Sequence, residues 1–139
     1  MIGAMIVKSK VRSSFDVIGQ HNLDKFMASW SDNATLIYPN NLSVGGEIKG
    51  KEAIKEWYRK DWEQFPVMSY DVKNVCIQNI FALGGTNVAT VEWAVKGRNK
   101  NMEEFSNSGV SIIHIRKGKV TMMRIYIFDL EVAKRVWCD

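Results

Sequence analysis

The stretch from Met102 to Leu130 limits the possible folds more than any other part of the chain, because it reads as two long strands turned back on each other. Met102 to Arg116 and Val120 to Leu130 are rich in isoleucine, valine and methionine, and Arg116-Lys117-Gly118 joins them. A type I turn with glycine in the left-handed bulge position suits that tripeptide and pairs Ile115 with Lys119. The register then sends Asn107, Gly109, Ser111, Ile113 and Ile115 to one face, together with Met123, Ile125, Ile127 and Asp129. Val110, Ile112, His114, Val120, Met122, Arg124, Tyr126 and Phe128 go to the other. Both faces are mostly apolar. A sheet with one wet face alternates apolar and polar residues, so two oily faces demand two covers. Helices supply one, and a second copy of the chain supplies the other, which gives a symmetric homodimer through Met122, Arg124, Tyr126 and Phe128.

The helical cover lies upstream. Phe15, Ile18, Leu23, Phe26, Met27 and Trp30 recur at helical spacing from Val11 to Trp30, with His21-Asn22 as a weak point, and residues 1–10 are expected as a flexible lead-in. Ser31-Asp32-Asn33 ends that helix, and Ala34 to Tyr38 forms a short strand stopped by Pro39. Gly45, Gly46 and Gly50 keep the next connection flexible. In Lys51 to Trp62 the residues Ile54, Trp57, Tyr58, Asp61 and Trp62 share one helical face, which turns inward, and Pro66 marks the helix end. Tyr70 to Leu83 and Asn87 to Lys96 are further strands, joined to their neighbours at Gly84-Gly85 and Gly97. Helices first and a meander last make a single α+β domain over residues 1–139.

A hydrophobic content of 46% in 139 residues supplies a core without disulfide or metal. Cys76 and Cys138 stand far apart with no metal-ligand spacing, so no metal and no cofactor is expected and a reducing, cytoplasmic setting follows. Met1 to Val7 is too short for a signal-peptide core, and no apolar run reaches membrane-spanning length. The net charge of +4 comes from separated sets, Lys8, Lys10 and Arg12, then Lys96, Arg98 and Lys100, then Arg116, Lys117 and Lys119. Nucleic-acid binding needs cations gathered on one face and is not expected.

Trp30-Ser31-Asp32-Asn33-Ala34-Thr35, Lys49-Gly50-Lys51-Glu52-Ala53-Ile54, Gly118-Lys119-Val120 and Arg124-x-Tyr126 together resemble the nuclear transport factor 2-like superfamily, in its SnoaL-like branch. The resemblance runs from about Val11 to Asp129 and implies a cone-shaped barrel, a curved and mostly antiparallel sheet wrapped around the helices. It does not carry over known catalytic sets. Tyr38 stands where steroid isomerases of this superfamily keep their aspartate base, and their oxyanion donors would fall near Ser14 and on Ser111. Trp93, Val95 and Ile125 replace the polar triad of limonene-epoxide-hydrolase-like members. The histidine and aspartate of SnoaL-like cyclases would be His114 and Asp129, which the register places roughly 30 Å apart on opposite faces, with His114 facing Val120.

The expected function is therefore binding of a small, largely apolar molecule in the cone, with a cofactor-independent proton transfer of the isomerase or cyclase kind. Asp129 is the expected base and Tyr38 or Tyr58 its electrophilic partner; Trp57, Tyr58, Trp62, Trp93, Ser111, Met123, Ile125 and Ile127 are the expected ligand contacts. Glu92 is either an outward strand charge or a pocket acid, His114 an interface residue and His21 a helix-break residue. The rival is a non-catalytic dimeric interaction or assembly module. Sedimentation of the purified chain at micromolar concentration should report a dimer; a monomer would contradict the covered sheet face.

Overall fold

The computed structural model describes residues 2–80 and 85–137. The end of the strand expected over Tyr70 to Leu83, Gly84 and Cys138 lie outside the described residues. The chain runs α1 (Ile2–Gly19), α2 (Leu23–Met27), β1 (Trp30–Tyr38), β2 (Gly46–Lys49), α3 (Lys51–Gln64), β3 (Val67–Ile77), β4 (Thr86–Arg98), β5 (Glu104–Arg116), β6 (Lys119–Ile127) and α4 (Leu130–Val136). The strands form one sheet in the order β2-β1-β6-β5-β4-β3. β1 runs parallel to β6, and the other neighbours are antiparallel. This is the expected α+β architecture, with its long meander and its curved sheet.

The hairpin at its centre differs from expectation in one detail that matters. Arg116 pairs with Lys119 and Ile115 with Val120 across Lys117 (φ 51) and Gly118 (φ 75). Two central residues with positive φ make a type I′ turn, whose twist matches that of the strands, so no bulge is needed at the glycine. The irregularity sits one step later, between His114 and Ile115, where Thr121 is the extra residue and His114 faces Met122. Val120 therefore joins Ile115 on the inner face, a correction to its expected place. From Met122 onward parity is as read: Met123, Ile125 and Ile127 face inward, and Arg124, Tyr126 and Phe128 outward.

Further bulges in the β3–β4 and β1–β6 pairings bend the sheet. Its concave face closes over Phe15 and Ile18 of α1, Phe26 and Met27 of α2, and Ile54, Tyr58 and Trp62 of α3, with Leu36, Val91, Trp93, Ile113 and Met123 contributed by the strands. The first helix departs from its expected span. It begins at Ile2, within the stretch read as a flexible lead-in, because Gly3, Val7 and Val11 extend the inward stripe of Phe15 and Ile18. It stops at Gly19 because His21 adopts φ 52, after which Asn22 caps α2 by accepting from the Lys25 amide at 3.1 Å. Trp30 opens β1 instead of closing a helix, since it pairs with Val120.

Three more connections differ. Gly46 to Lys49 forms strand β2 against β1 where a loop was expected. Gly97 is inside β4, because a Cβ there would lie 2.0 Å from the Val67 carbonyl oxygen; the turn follows at Asn99, whose buried side chain accepts from the Asn101 and Glu103 amides and donates to the Val136 carbonyl at 3.0 Å. β6 ends at Ile127, and Asp129 caps the unanticipated helix α4 by accepting from the Val132 amide at 3.0 Å. Asn107 fixes that corner by donating to the Asp129 carbonyl and accepting from its amide.

Gly109 shows how tightly the floor is assembled. A Cβ at this position would lie 2.2 Å from the Tyr126 carbonyl oxygen and 2.6 Å from the Trp93 ring. Gly109→Ala should lower the urea-unfolding free energy by about 1–3 kcal/mol, whereas Gly85→Ala, with nothing near its added methyl, should change it by less than about 0.5 kcal/mol. Equal effects would contradict this packing.

Candidate functional site

The helices do not fill the cone. Between α1, α3 and the concave sheet face lies a cavity of about 340 Å³, within the usual size for a small-molecule site. Its walls are mostly apolar and aromatic, including Phe15, Trp30, Trp57, Trp93, Ile113 and Met123. Polar groups are few. Asp61, Tyr38, Tyr58, Tyr70, Ser111 and Asn87 reach the wall from α3 and four strands, and Lys10 and Ser14 of α1 and Ser29 complete the polar lining.

Asp61 is the chemically distinctive one. The register of α3 that turns Trp57, Tyr58 and Trp62 inward turns Asp61 inward as well, and it is 8% exposed. Burial raises its carboxyl to about 7, and among the described residues no cation or hydrogen bond offsets the loss of water. Asp61 also borders a smaller space of about 60 Å³ that shares Tyr38, Tyr70, Trp93 and Ile127 with the main cavity, so the carboxyl stands where the two meet.

The hydroxyls around it are held neutral. Burial first, and then the charge of Asp61, raise the ionisation of Tyr38 and Tyr58 well above the ordinary phenol value, and the same causes raise that of Tyr70. Tyr58 donates to the Met123 sulfur at 3.7 Å. Tyr38 packs against Trp57, with ring centroids 4.6 Å apart, while the Trp57 indole donates to the Val44 carbonyl at 3.0 Å. Trp93 donates to the Ser111 hydroxyl at 3.0 Å and meets Tyr70 edge-on at 5.4 Å. These contacts lock the orientation of the aromatic walls.

Tyr38, Trp57, Tyr58, Trp93, Ser111, Met123, Ile125 and Ile127 all lie on the cavity wall. It does not bring Asp129 to them. That aspartate is exposed and engaged as the cap of α4, because β6 ends before it and the chain turns away. Trp62 is also not on the cavity wall: it is buried against α2, stacks on His21 at 5.5 Å, and its indole nitrogen has no partner among the described residues. Glu92 is exposed, and His114 is half-buried on the outer face. The residue that sequence reasoning missed, Asp61, carried a visible signal, an acid at an inward i+7 position among aromatics. Among the described residues no His, Cys, Asp and Glu group is arranged to hold a metal ion, and no helix is long and apolar enough to cross a membrane.

The model of the SnoaL-like domain matches residues 11–123. No curated protein sequence matches the chain. Among solved structures, the chain is similar to a nuclear transport factor 2-like protein from Burkholderia pseudomallei (13% identity, TM-score 0.75, 94% of this chain and 97% of that one). A Bacillus subtilis protein proposed to be an isomerase is 20% identical with TM-score 0.72, covering 92% and 89%. A Jannaschia sp. CCS1 protein proposed to be a SnoaL-like polyketide cyclase is 17% identical with TM-score 0.72, again covering 92% and 89%. At these identities the likeness establishes the fold.

The raised carboxyl has a consequence for stability. An aspartate protonating near 7 when folded and near 4 when unfolded binds more protons folded between those values, so stability should fall as pH rises through that window and level off above it. Urea unfolding should show a decline of up to roughly 4 kcal/mol, and Asp61→Asn should remove the slope attributable to this group. An unchanged slope in the variant would contradict the assignment.

Proposed function

Because the chain belongs to the SnoaL-like domain family, we propose that it binds a small, largely apolar molecule in the cone and moves a proton on it without a cofactor, as an isomerase or cyclase does, with Asp61 as the base. The observation that carries this reading is a carboxyl buried in the wall of a ligand-sized apolar cavity with no charged or hydrogen-bonding partner among the described residues. Isomerisation and ring closure can both begin by removing a proton from carbon beside a carbonyl. A carboxyl that protonates near neutral pH can take that proton and return it elsewhere. Tyr38 and Tyr70, held neutral, keep hydroxyl protons to donate to the carbonyl oxygen as it gains negative charge. Trp57 and Trp93 flank the space in which a planar intermediate would lie.

The base thus moves from Asp129 to Asp61, and Tyr38 keeps its role. The isomerase and polyketide cyclase proposed for two of the structural relatives agree in reaction class. An assembly module would be expected to fill its cone, and the cavity counts against that rival. The homodimer belongs to the same proposal: Tyr126 and Phe128 are 46% and 62% exposed on the outer sheet face, which a second copy would cover. The free thiol of Cys76 suits a reducing, cytoplasmic setting.

A hydrophobic β-keto ester in deuterium oxide tests the chemistry. The wild-type protein should accelerate exchange at the carbon between the carbonyls, with a rate that rises through pH about 7. Asp61→Asn should slow the exchange by about 10²–10⁴-fold, and Tyr38→Phe by a smaller factor, with the ester still bound. Equal exchange by wild type and Asp61→Asn would overturn the proposal.

A further inference from the structure

The shape of the cavity and the placement of its charges narrow the class of ligand. α1 lines it from Gly3 through Val7, Lys10 and Ser14 to Ile18, a helical rise of about 22 Å. On the opposite wall, β4 reaches the cavity at Asn87 and again at Trp93, positions about 20 Å apart along an extended strand. A volume of about 340 Å³ drawn out over that distance is a shaft.

The two ends of the shaft are unlike. Ile6, Lys10, Gly85 and Gly118 line it and are also exposed, so they form its rim, whereas Asp61, Tyr38 and Trp93 line it and are buried, so they form its floor. Lys10 and Asp61 are the charged residues on the wall among the described residues, one at each end. Lys10 sits on the helix about 12 Å of rise before Ile18, and it belongs to none of the ion pairs of the described residues. An unpaired ammonium at the open end of an apolar shaft favours an anionic group there, and the carbon body behind it is drawn into the dry interior.

We propose that the ligand is an elongated amphiphile whose carboxylate head is held at the rim by Lys10, while its hydrocarbon body occupies the shaft and its far end meets Asp61. This rests on the cavity being the ligand site and adds the ligand's length, polarity and orientation. A compact neutral molecule would use the floor and leave Lys10 without a role.

Calorimetric titration with dodecanoate, dodecyltrimethylammonium and the compact neutral aromatic 2-naphthol separates the possibilities. Wild-type protein should bind dodecanoate more tightly than the cationic chain by about fivefold or more, the scale of one partly screened ion pair. Lys10→Met should remove the preference and Lys10→Glu should reverse it, both without loss of 2-naphthol binding. Equal affinities for the two chains, or a preference that survives Lys10→Glu, would overturn the head-group assignment. If 2-naphthol binds and neither chain does, the amphiphile inference fails while the cavity reading stands; if no probe binds, both fail.

Discussion

A carboxyl group taken out of water with no partner is among the least favourable things a fold can contain, and the arrangement around Asp61 depends on that cost being borne. The α3 helix cannot turn Tyr58 and Trp62 into the core without turning Asp61 in as well, because the three lie on one face. Burial then holds the group protonated to about 7, and the same low-polarity surroundings keep Tyr38, Tyr58 and Tyr70 neutral. An acid that changes state near neutrality, beside hydroxyls that do not, is a combination suited to proton transfer.

The sheet makes this possible by curving. Bulges in several strand pairings bend it away from a flat packing against α1 and α3, and the concavity left between them is the cavity. Gly109 contributes by having no side chain, which leaves the Trp93 ring the space it occupies above β5. Trp93 in turn is oriented by its hydrogen bond to Ser111, so this part of the rigid wall and one of the polar points of the site come from the same strand pairing.

Much of the frame was legible in the residues. The inward row Met123, Ile125 and Ile127 followed from period-2 alternation, which survives an error of two residues in register, and the inward face of α3 followed from helical spacing. Val120 was misplaced because Lys117-Gly118 supports two turn types, and only the pairing of Arg116 with Lys119 distinguishes them. The span of α1 was misread because helical periodicity continues across His21-Asn22, while the sheet partner that draws Trp30 into β1 is distant in sequence. The site suffered from a related difficulty. Asp129 has inward parity, but parity has no meaning once the strand stops, and the cap that ends it is a local interaction with Val132. Asp61 had the right position on its helix, yet its loss of solvent depends on β1, β3 and β4 arriving from elsewhere in the chain.

Proton transfer in the cone depends on the ionisation of one side chain. A carbon-13 NMR titration of the Asp61 carboxyl, assigned by comparison with Asp61→Asn, measures it directly. A midpoint near 7 is predicted, whereas a midpoint near 4, that of a carboxyl in water, would show that Asp61 is neither buried nor poised for proton transfer.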